Sequence, residues 1–228
     1  MNVREMETST ATKGLFLTFE GSEGCGKSTQ IHLLEKTLRS RGQEALLVRE
    51  PGGTPSGEVI RHLLQHSPDG AALTPEAELL LFAASRAQLV REVIRPALAS
   101  GRTVISDRFL DSTTVYQGVA RMIPPEVTAR INAFAVGVCL PDMTFLLDLD
   151  RASAVARMGA RNQDPDRIER ESESFFDAVR RGYLELAARE THRIRVLDGS
   201  QPPGEIAAQI LSHLTKAGLL LEARCGAV

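Results

Sequence analysis

The chain of 228 residues is poor in the features that would commit it to a special environment. It has three cysteines, Cys25, Cys139 and Cys225, too few and too scattered for a disulfide framework or a zinc site. That usage fits a reducing compartment and a cytoplasmic protein. No apolar run is long enough to span a bilayer, so no membrane partner is expected. Residues Met1 to Lys13 lack the apolar core of a secretory signal and read as a loose extension. The formal net charge is -2, so nothing global points to nucleic acid, and any basic patch has to be local. There are no internal repeats and no low-complexity segment. A hydrophobic content of 43% and a charged content of 25% then suit one soluble domain with a real core.

What is present centres on Gly21-Ser22-Glu23-Gly24-Cys25-Gly26-Lys27-Ser28-Thr29. The stretch follows an apolar run, Leu15 to Phe19, and opens a segment with helical periodicity. Strand, glycine loop, Gly-Lys-Ser and helix form the P-loop arrangement. The glycines let the backbone bring its N–H groups close to phosphate oxygens, and the helix adds its positive dipole end. Lys27 is placed to reach the β and γ phosphates of a nucleoside triphosphate, and the Ser28 hydroxyl to hold Mg²⁺. The motif implies a nucleotide and a metal ion, not a particular reaction.

Further along, short apolar runs alternate with helical periodicity. Strands are expected at 45–48, 103–106, 143–147 and 194–197, besides the one before the P-loop. Helices are expected at 30–41, 56–65, about 74–99, 112–120, 125–138, 151–158, 168–189 and 203–216. Thr74-Pro75 is a cap followed by proline at the first helical position. Near-continuous apolar strands separated by helices imply an α/β fold with about five parallel strands covered on both faces. Ligands then belong at the carboxyl ends of the strands. The P-loop, Arg49 to Thr54, Asp107-Arg108 and the region after Leu197 all leave those ends.

Two apolar strands end in an acid, Asp107 and Asp148, and either suits a P-loop metal site. Asp107 is favoured because Arg108 follows it; Asp148 and Asp150 read as strand-end and helix-cap residues. Arg157, Arg161 and Arg167 surround the polar stretch 162–166, which reads equally as a solvated loop or as a lid that closes over a triphosphate. Phe82 and Arg86 are four apart and share a helix face. On spacing alone they are a core ring beside a surface arginine, with a base-stacking pair as the alternative.

Five elements occur in one order and spacing: Phe19 to Thr29, Arg49-Glu50-Pro51-Gly52-Gly53-Thr54, Asp107-Arg108-Phe109, Tyr116-Gln117-Gly118 and Asp166-Arg167-Ile168-Glu169. Over about Gly14 to Leu214 the sequence resembles the thymidylate kinases, and, with Gly24 in the P-loop and arginines in the lid, their bacterial subclass. The resemblance implies a P-loop NTPase fold with a short lid, ATP and dTMP as substrates and Mg²⁺ as cofactor. It implies a kinase domain over 14–216, with a lid at about 157–168 and a tail at 217–228. By the same resemblance Arg49 and Arg108 grip the acceptor phosphate, and Glu23 approaches the sugar 3′-hydroxyl. Phe82 stacks on thymine, Arg86 bonds its O4, Thr113 and Gln117 lie at the base edge, and Tyr116 lies under the sugar. Arg157 and Arg161 become lid arginines, and Arg167 lies near the adenine. Cys25 stands where a small residue is common. A homodimer packed through helices is implied, with the apolar helix around Leu79–Leu89 as a candidate face. Another nucleotide or nucleoside kinase on this scaffold, or a P-loop switch, is the alternative.

Overall fold

The computed structural model describes residues 14–159 and 166–220. Five strands, β1 (Phe16–Glu20), β2 (Ala45–Arg49), β3 (Thr103–Asp107), β4 (Met143–Asp148) and β5 (Ile194–Asp198), form one parallel sheet in the order β2-β3-β1-β4-β5. β1 is central, so the loop that leaves it emerges between the ends of β3 and β4. The register pairs Asp107 with both Phe19 and Arg49, which brings the ends of three strands level.

Side chains alternate across the sheet, and both faces are covered. Leu17, Phe19, Ile105, Phe145 and Leu147 pack with Ile31, Leu34 and Leu38 of α1 (Lys27–Ser40) and Ile206, Ile210 and Leu214 of α9 (Pro203–Lys216). On the opposite face Phe16 and Val104 pack with Leu89 of α3 (Pro75–Leu89) and with Ile94 and Leu98, and Leu146 and Ile194 pack with α8 (Glu173–Arg189). β1 carries Phe16, Thr18 and Glu20 on that second face. Thr18 bonds Thr144 across the strands at 2.8 Å, and Glu20, one step further, meets the side chains that precede and follow the sheet edge.

The remaining helices are α2 (Pro55–Gln65), α4 (Arg95–Ala99), α5 (Leu110–Thr113), α6 (Pro125–Val136) and α7 (Arg151–Gly159). A short 3₁₀ turn at Pro68–Ala72 occupies part of the expected loop before Thr74. The long helix expected over 74–99 is continuous but widens into a π turn at Val90–Ile94. Pro96 lies just beyond, and a proline has no N–H to donate and crowds the carbonyl four residues back. A second π segment, Thr114–Ala120, carries Tyr116 and Gln117. One boundary needs correction. The helix expected from Ile168 starts at Glu173, because Asp166 Oδ1 takes the N–H groups of Ile168 (2.8 Å) and Glu169 (2.9 Å), a local turn that competes with helix. Ser172 then caps α8 by accepting from the Phe175 N–H at 3.2 Å. Among the described residues no helix is long and apolar enough to cross a membrane.

α5 is tied to the sheet by a buried fork. Arg193, just before β5, donates to both oxygens of Asp111 at 2.7 and 2.8 Å, and Asp111 is 1% exposed. Asp111→Ala leaves that guanidinium without its main partner, so stability is expected to fall by about 3 kcal/mol. That corresponds to a melting temperature lower by on the order of 10 °C for a domain of this size. Calorimetry of wild type and variant checks it.

Candidate active site

The P-loop leaves β1 and ends at Gly26, which caps α1 in a left-handed conformation with φ 104°. Gly24 also has positive φ, and a Cβ there would meet the Ala154 carbonyl oxygen at 2.7 Å, so the loop requires glycine for conformation and for space. Cys25 is fully buried under the loop, where only a small side chain fits. Lys27 turns its ammonium back along the loop and donates to the carbonyls of Gly21 (3.0 Å) and Ser22 (2.9 Å). Ser28 Oγ lies 3.4 Å from Asp107 Oδ2. Of the two strand-end acids only Asp107 faces Ser28; Asp148 is held by a bidentate contact from Arg180 at 2.7 and 2.8 Å, and Asp150 caps α7 through the Ser153 N–H.

A polar cavity opens beside the P-loop, and Lys27, Ser28, Arg49, Asp107, Arg108 and Arg61 line it. Arg61 was not expected there. It donates to the Pro51 carbonyl at 3.0 Å, and burial together with the like charge of Arg49 lowers its pKa. Arg49 itself pairs with Glu58 at 2.8 Å. A second pocket is walled by Phe82, Thr113, Tyr116, Gln117, Pro51 and Ile168, and Glu23 and Arg108 line both this pocket and the polar cavity. On the other side of the P-loop a third depression is lined by Thr29, Gln30, Arg157, Gly199, Gln201 and Pro203.

Arg108 is the best-held side chain of the site. Its backbone has φ 70°, a left-handed conformation unusual for a residue other than glycine. Its N–H bonds the Phe19 carbonyl at 2.9 Å. Its guanidinium donates to Glu23 Oε1 (2.5 Å), Tyr116 Oη (3.3 Å), Ser112 Oγ (3.1 Å) and Tyr183 Oη (3.3 Å). Burial opposes the charge on Glu23, but Arg108 and then Lys27 outweigh it and hold that carboxyl below its ordinary range.

Behind Arg108 sits Glu20, whose role was not foreseen. Oε1 accepts the N–H groups of Phe109 (2.8 Å) and Ser112 (3.2 Å), and Oε2 accepts the hydroxyls of Ser112 (2.6 Å) and Tyr183 (2.8 Å). Those two hydroxyls are the ones that receive Arg108. Glu20 therefore braces both the strained turn and the guanidinium that it presents. The only signal in the sequence is an acid at the end of an apolar strand, the same signal that marked Asp107.

Two of the expected site residues, Arg86 and Arg167, are engaged by other side chains of the protein. Arg86 does not line the base pocket. It is 1% exposed, and its donors reach Glu50 Oε2 (2.8 Å), Thr113 Oγ1 (2.8 Å), Asn132 Oδ1 (2.9 Å) and the Phe109 carbonyl (3.1 Å). A buried guanidinium needs these partners, and they draw it behind the wall that Thr113 forms. Arg167 lines neither the second pocket nor the third depression. It donates to the Leu64 carbonyl (2.8 Å) and to Glu78 (2.5 Å). Arg157, in contrast, reaches Gly199 at 2.9 Å beside the P-loop. Arg161 and the stretch 160–165 lie outside the described residues. Phe82, Thr113, Tyr116 and Gln117 all line the second pocket.

Comparison with known proteins shows the family and the fold. The family model described as Thymidylate kinase matches residues 19–210. The thymidylate kinase of Geobacter sulfurreducens is 48% identical over 192 residues, covering 82% of this chain and 90% of the relative. That of Kosmotoga olearia is 46% identical over 199 residues, 87% and 94% of the two chains. That of Deinococcus radiodurans is 44% identical over 207 residues, 91% and 99%. Among solved structures, the thymidylate kinase of Ehrlichia chaffeensis superposes with a TM-score of 0.71 at 31% identity, covering 89% of this chain and 99% of that one.

The environment of Glu20 has a consequence for pH. Its pKa is pushed up from 4.5 to about 7, first by burial and then by Asp111, against the opposing pull of Arg108, Ser112 and Tyr183. Between those two values the folded chain keeps a proton that the unfolded chain has released. Stability from Glu20 is therefore complete at low pH and is lost as pH rises towards about 7. A Glu20→Gln variant carries a neutral amide at this position throughout and has no such slope. The denaturation midpoint of wild type minus that of E20Q is expected to fall between pH 5 and 7 and then level off. A difference constant from pH 5 to 8 would contradict it.

Proposed function

The chain belongs to the thymidylate kinase family, which are ATP:dTMP phosphotransferases, and from that premise we propose how its own residues carry the transfer out. ATP lies along the P-loop with its base in the depression beside Arg157, and dTMP occupies the pocket beside Phe82. The observation that carries this assignment is that Glu23 and Arg108 line both the P-loop cavity and the aromatic-walled pocket.

A dTMP phosphate oxygen attacks the γ-phosphorus in line. Phosphate monoesters are largely dianionic near neutral pH, so no general base has to be recruited. The obstacle is repulsion between two anions, on the order of 4 kcal/mol per pair of charges in contact at an effective dielectric of ~20. Lys27 supports the donor phosphates, Arg49 and Arg108 hold the acceptor phosphate, and Arg61 adds a cation on the acceptor side. Catalysis is then positioning and charge neutralisation. Phe82 supplies a face for the base, and Tyr116, bonded to Glu23 at 2.9 Å, lies beneath the sugar. The exposed hydroxyl of Ser28 beside the carboxylate of Asp107 is a pair of hard oxygen donors that fits Mg²⁺. When bound, Mg²⁺ supplies charge neutralisation and orientation of the phosphate oxygens.

The working unit we propose is a homodimer. α3 packs against α2 and α6, and on this layer Val59, Leu80 and Phe134 are 71%, 56% and 81% exposed. Leu79 and Leu89 point into the core, so the expected face turns on Leu80 instead. The cysteine usage supports a cytoplasmic location.

Release of ADP from ATP and Mg²⁺ tests the reaction, with dTMP, dUMP, UMP, dCMP, AMP and thymidine offered separately. Strong stimulation by dTMP with little by UMP is expected; absence of stimulation by every acceptor would favour a P-loop switch. Lys27→Ala and Arg108→Ala are each expected to lower kcat by on the order of 10³ while the fold is retained by circular dichroism. For the assembly, sedimentation velocity should show a dimer that Leu80→Asp with Phe134→Asp converts to monomer.

A further inference from the structure

Glu78 on α3 belongs to none of the groups assigned above, yet it is only 2% exposed and stands at the hub of an ion cluster behind the acceptor pocket. Arg121 donates to both of its oxygens at 3.2 Å, and Arg167 reaches Oε2 at 2.5 Å. Arg121 also bonds Glu171 at 2.6 Å. The remaining contact is to a neutral side chain. Gln117 donates from Nε2 to Glu78 Oε1 at 2.9 Å in a buried bond. Burial opposes the charge on Glu78, but the bonds from Arg121, Gln117 and Arg167 outweigh it and keep the carboxyl below its ordinary range.

An amide has a donor end and an acceptor end, and either can face a ligand. An ionised carboxylate accepts only, so Glu78 must receive the Gln117 NH₂ group. Gln117 lines the pocket, and with Nε2 committed to Glu78 its carbonyl oxygen is the end free to turn towards a ligand. We infer that Glu78 is a specificity-determining positioning residue: it fixes the Gln117 carbonyl towards the pocket, which then takes a pyrimidine with hydrogen on N3 and rejects one with a lone pair there. The inference rests on the second pocket being the acceptor's base site.

A neighbour one turn away on the same helical segment reinforces the pattern. Thr113 also lines the pocket, and its hydroxyl oxygen already accepts Arg86 at 2.8 Å, so its proton is turned away from Arg86 and is available as a donor. A buried anion thus presents an acceptor through Gln117, and a buried cation presents a donor through Thr113. Thymine and uracil offer the complementary edge, a C4 carbonyl beside an N3 hydrogen. Cytosine offers an amino group beside a bare N3, the reverse polarity at both positions. A site that leaves polar groups unpaired against the wrong ligand discriminates more strongly than one that only loses a contact.

The test is steady-state kinetics with ATP and Mg²⁺ on wild type and Glu78→Gln, using dTMP, dUMP and dCMP. Where dCMP turns over too slowly, its inhibition constant against dTMP replaces KM. In E78Q the amide at 78 no longer dictates which end of Gln117 faces the pocket. The dTMP to dCMP preference is expected to fall at least ~10-fold, by a higher KM for dTMP and tighter dCMP, with a smaller change in kcat. dUMP should move with dTMP, since the two share the N3 hydrogen. A preference within twofold of wild type, or dUMP moving with dCMP, overturns the inference. If E78Q does not fold, Gln117→Leu leaves the ion cluster in place. It should raise KM for dTMP and dUMP without weakening dCMP, and an equal loss for all three overturns the inference. A wild-type enzyme that dTMP does not stimulate sinks the kinase reading and this inference with it. An active wild type with an unchanged preference in E78Q overturns this inference alone.

Discussion

The constraint behind this architecture is that cations gathered for two phosphates must be tolerated at one sheet edge by the protein itself. Each has a resident partner. Arg108 pairs with Glu23, Arg49 with Glu58, Arg86 with Glu50 and Arg167 with Glu78, while Lys27 uses loop carbonyls. The partners differ in depth, and depth sets what each contact is worth. The Arg49–Glu58 pair is half exposed and contributes little to stability, so a phosphate can replace its carboxylate at small cost. The Arg86–Glu50 pair is almost completely buried, and its loss would leave an uncompensated charge. Exposed pairs are exchangeable and buried ones are scaffold. The distinction separates Arg49 from Arg86, while Arg108, paired with Glu23 at 15% and 18% exposure, lies between them.

The scaffold is anchored on β1. Alternation along five residues sends Leu17 and Phe19 to the α1 and α9 face, and Thr18 and Glu20 to the other. Glu20 then meets the turn after β3, which is adjacent because β3 pairs with β1. An apolar strand end could not do this work. Phe109 and Ser112 present buried N–H groups that require an acceptor, and Arg108 requires polarised hydroxyls. One strand thus leads into the P-loop at its end and, from its last side chain, braces the turn that carries Arg108.

Much of this was legible in the sequence. The P-loop, the strands and the last helix declare themselves through local chemistry: glycines where φ is positive, apolar runs, and proline at a first helical turn. Asp107 could be preferred over Asp148 from its arginine neighbour, and the structure turns it towards Ser28. What escaped was tertiary. Spacing shows that Phe82 and Arg86 share a helix face, but not that one faces a cavity while the other is drawn into Glu50, Thr113 and Asn132. Arg167 follows a polar loop in sequence, but its side chain is claimed by Glu78, 89 positions away. Glu20 and Glu78 looked like an ordinary strand end and a first-turn acid, because burial and distant partners have no local signature.

Glu20 and Glu78 show how one residue type serves two ends. Glu20 is buried and sits beside Asp111, and it meets Arg108 only through hydroxyls, so its pKa rises to about 7. Glu78 touches two guanidiniums directly, and its pKa falls despite burial. Their tasks match these states. Two of the donors that Glu20 holds are backbone N–H groups, whose polarity cannot reverse, so either protonation state of Glu20 can brace the turn through Oε1. Glu78 holds an amide, whose two ends are sterically almost alike. Only an acceptor that never becomes a donor can tell those ends apart. The cations around Glu78 therefore do more than balance charge: by keeping it ionised they turn a symmetric-looking side chain into one that presents a single end.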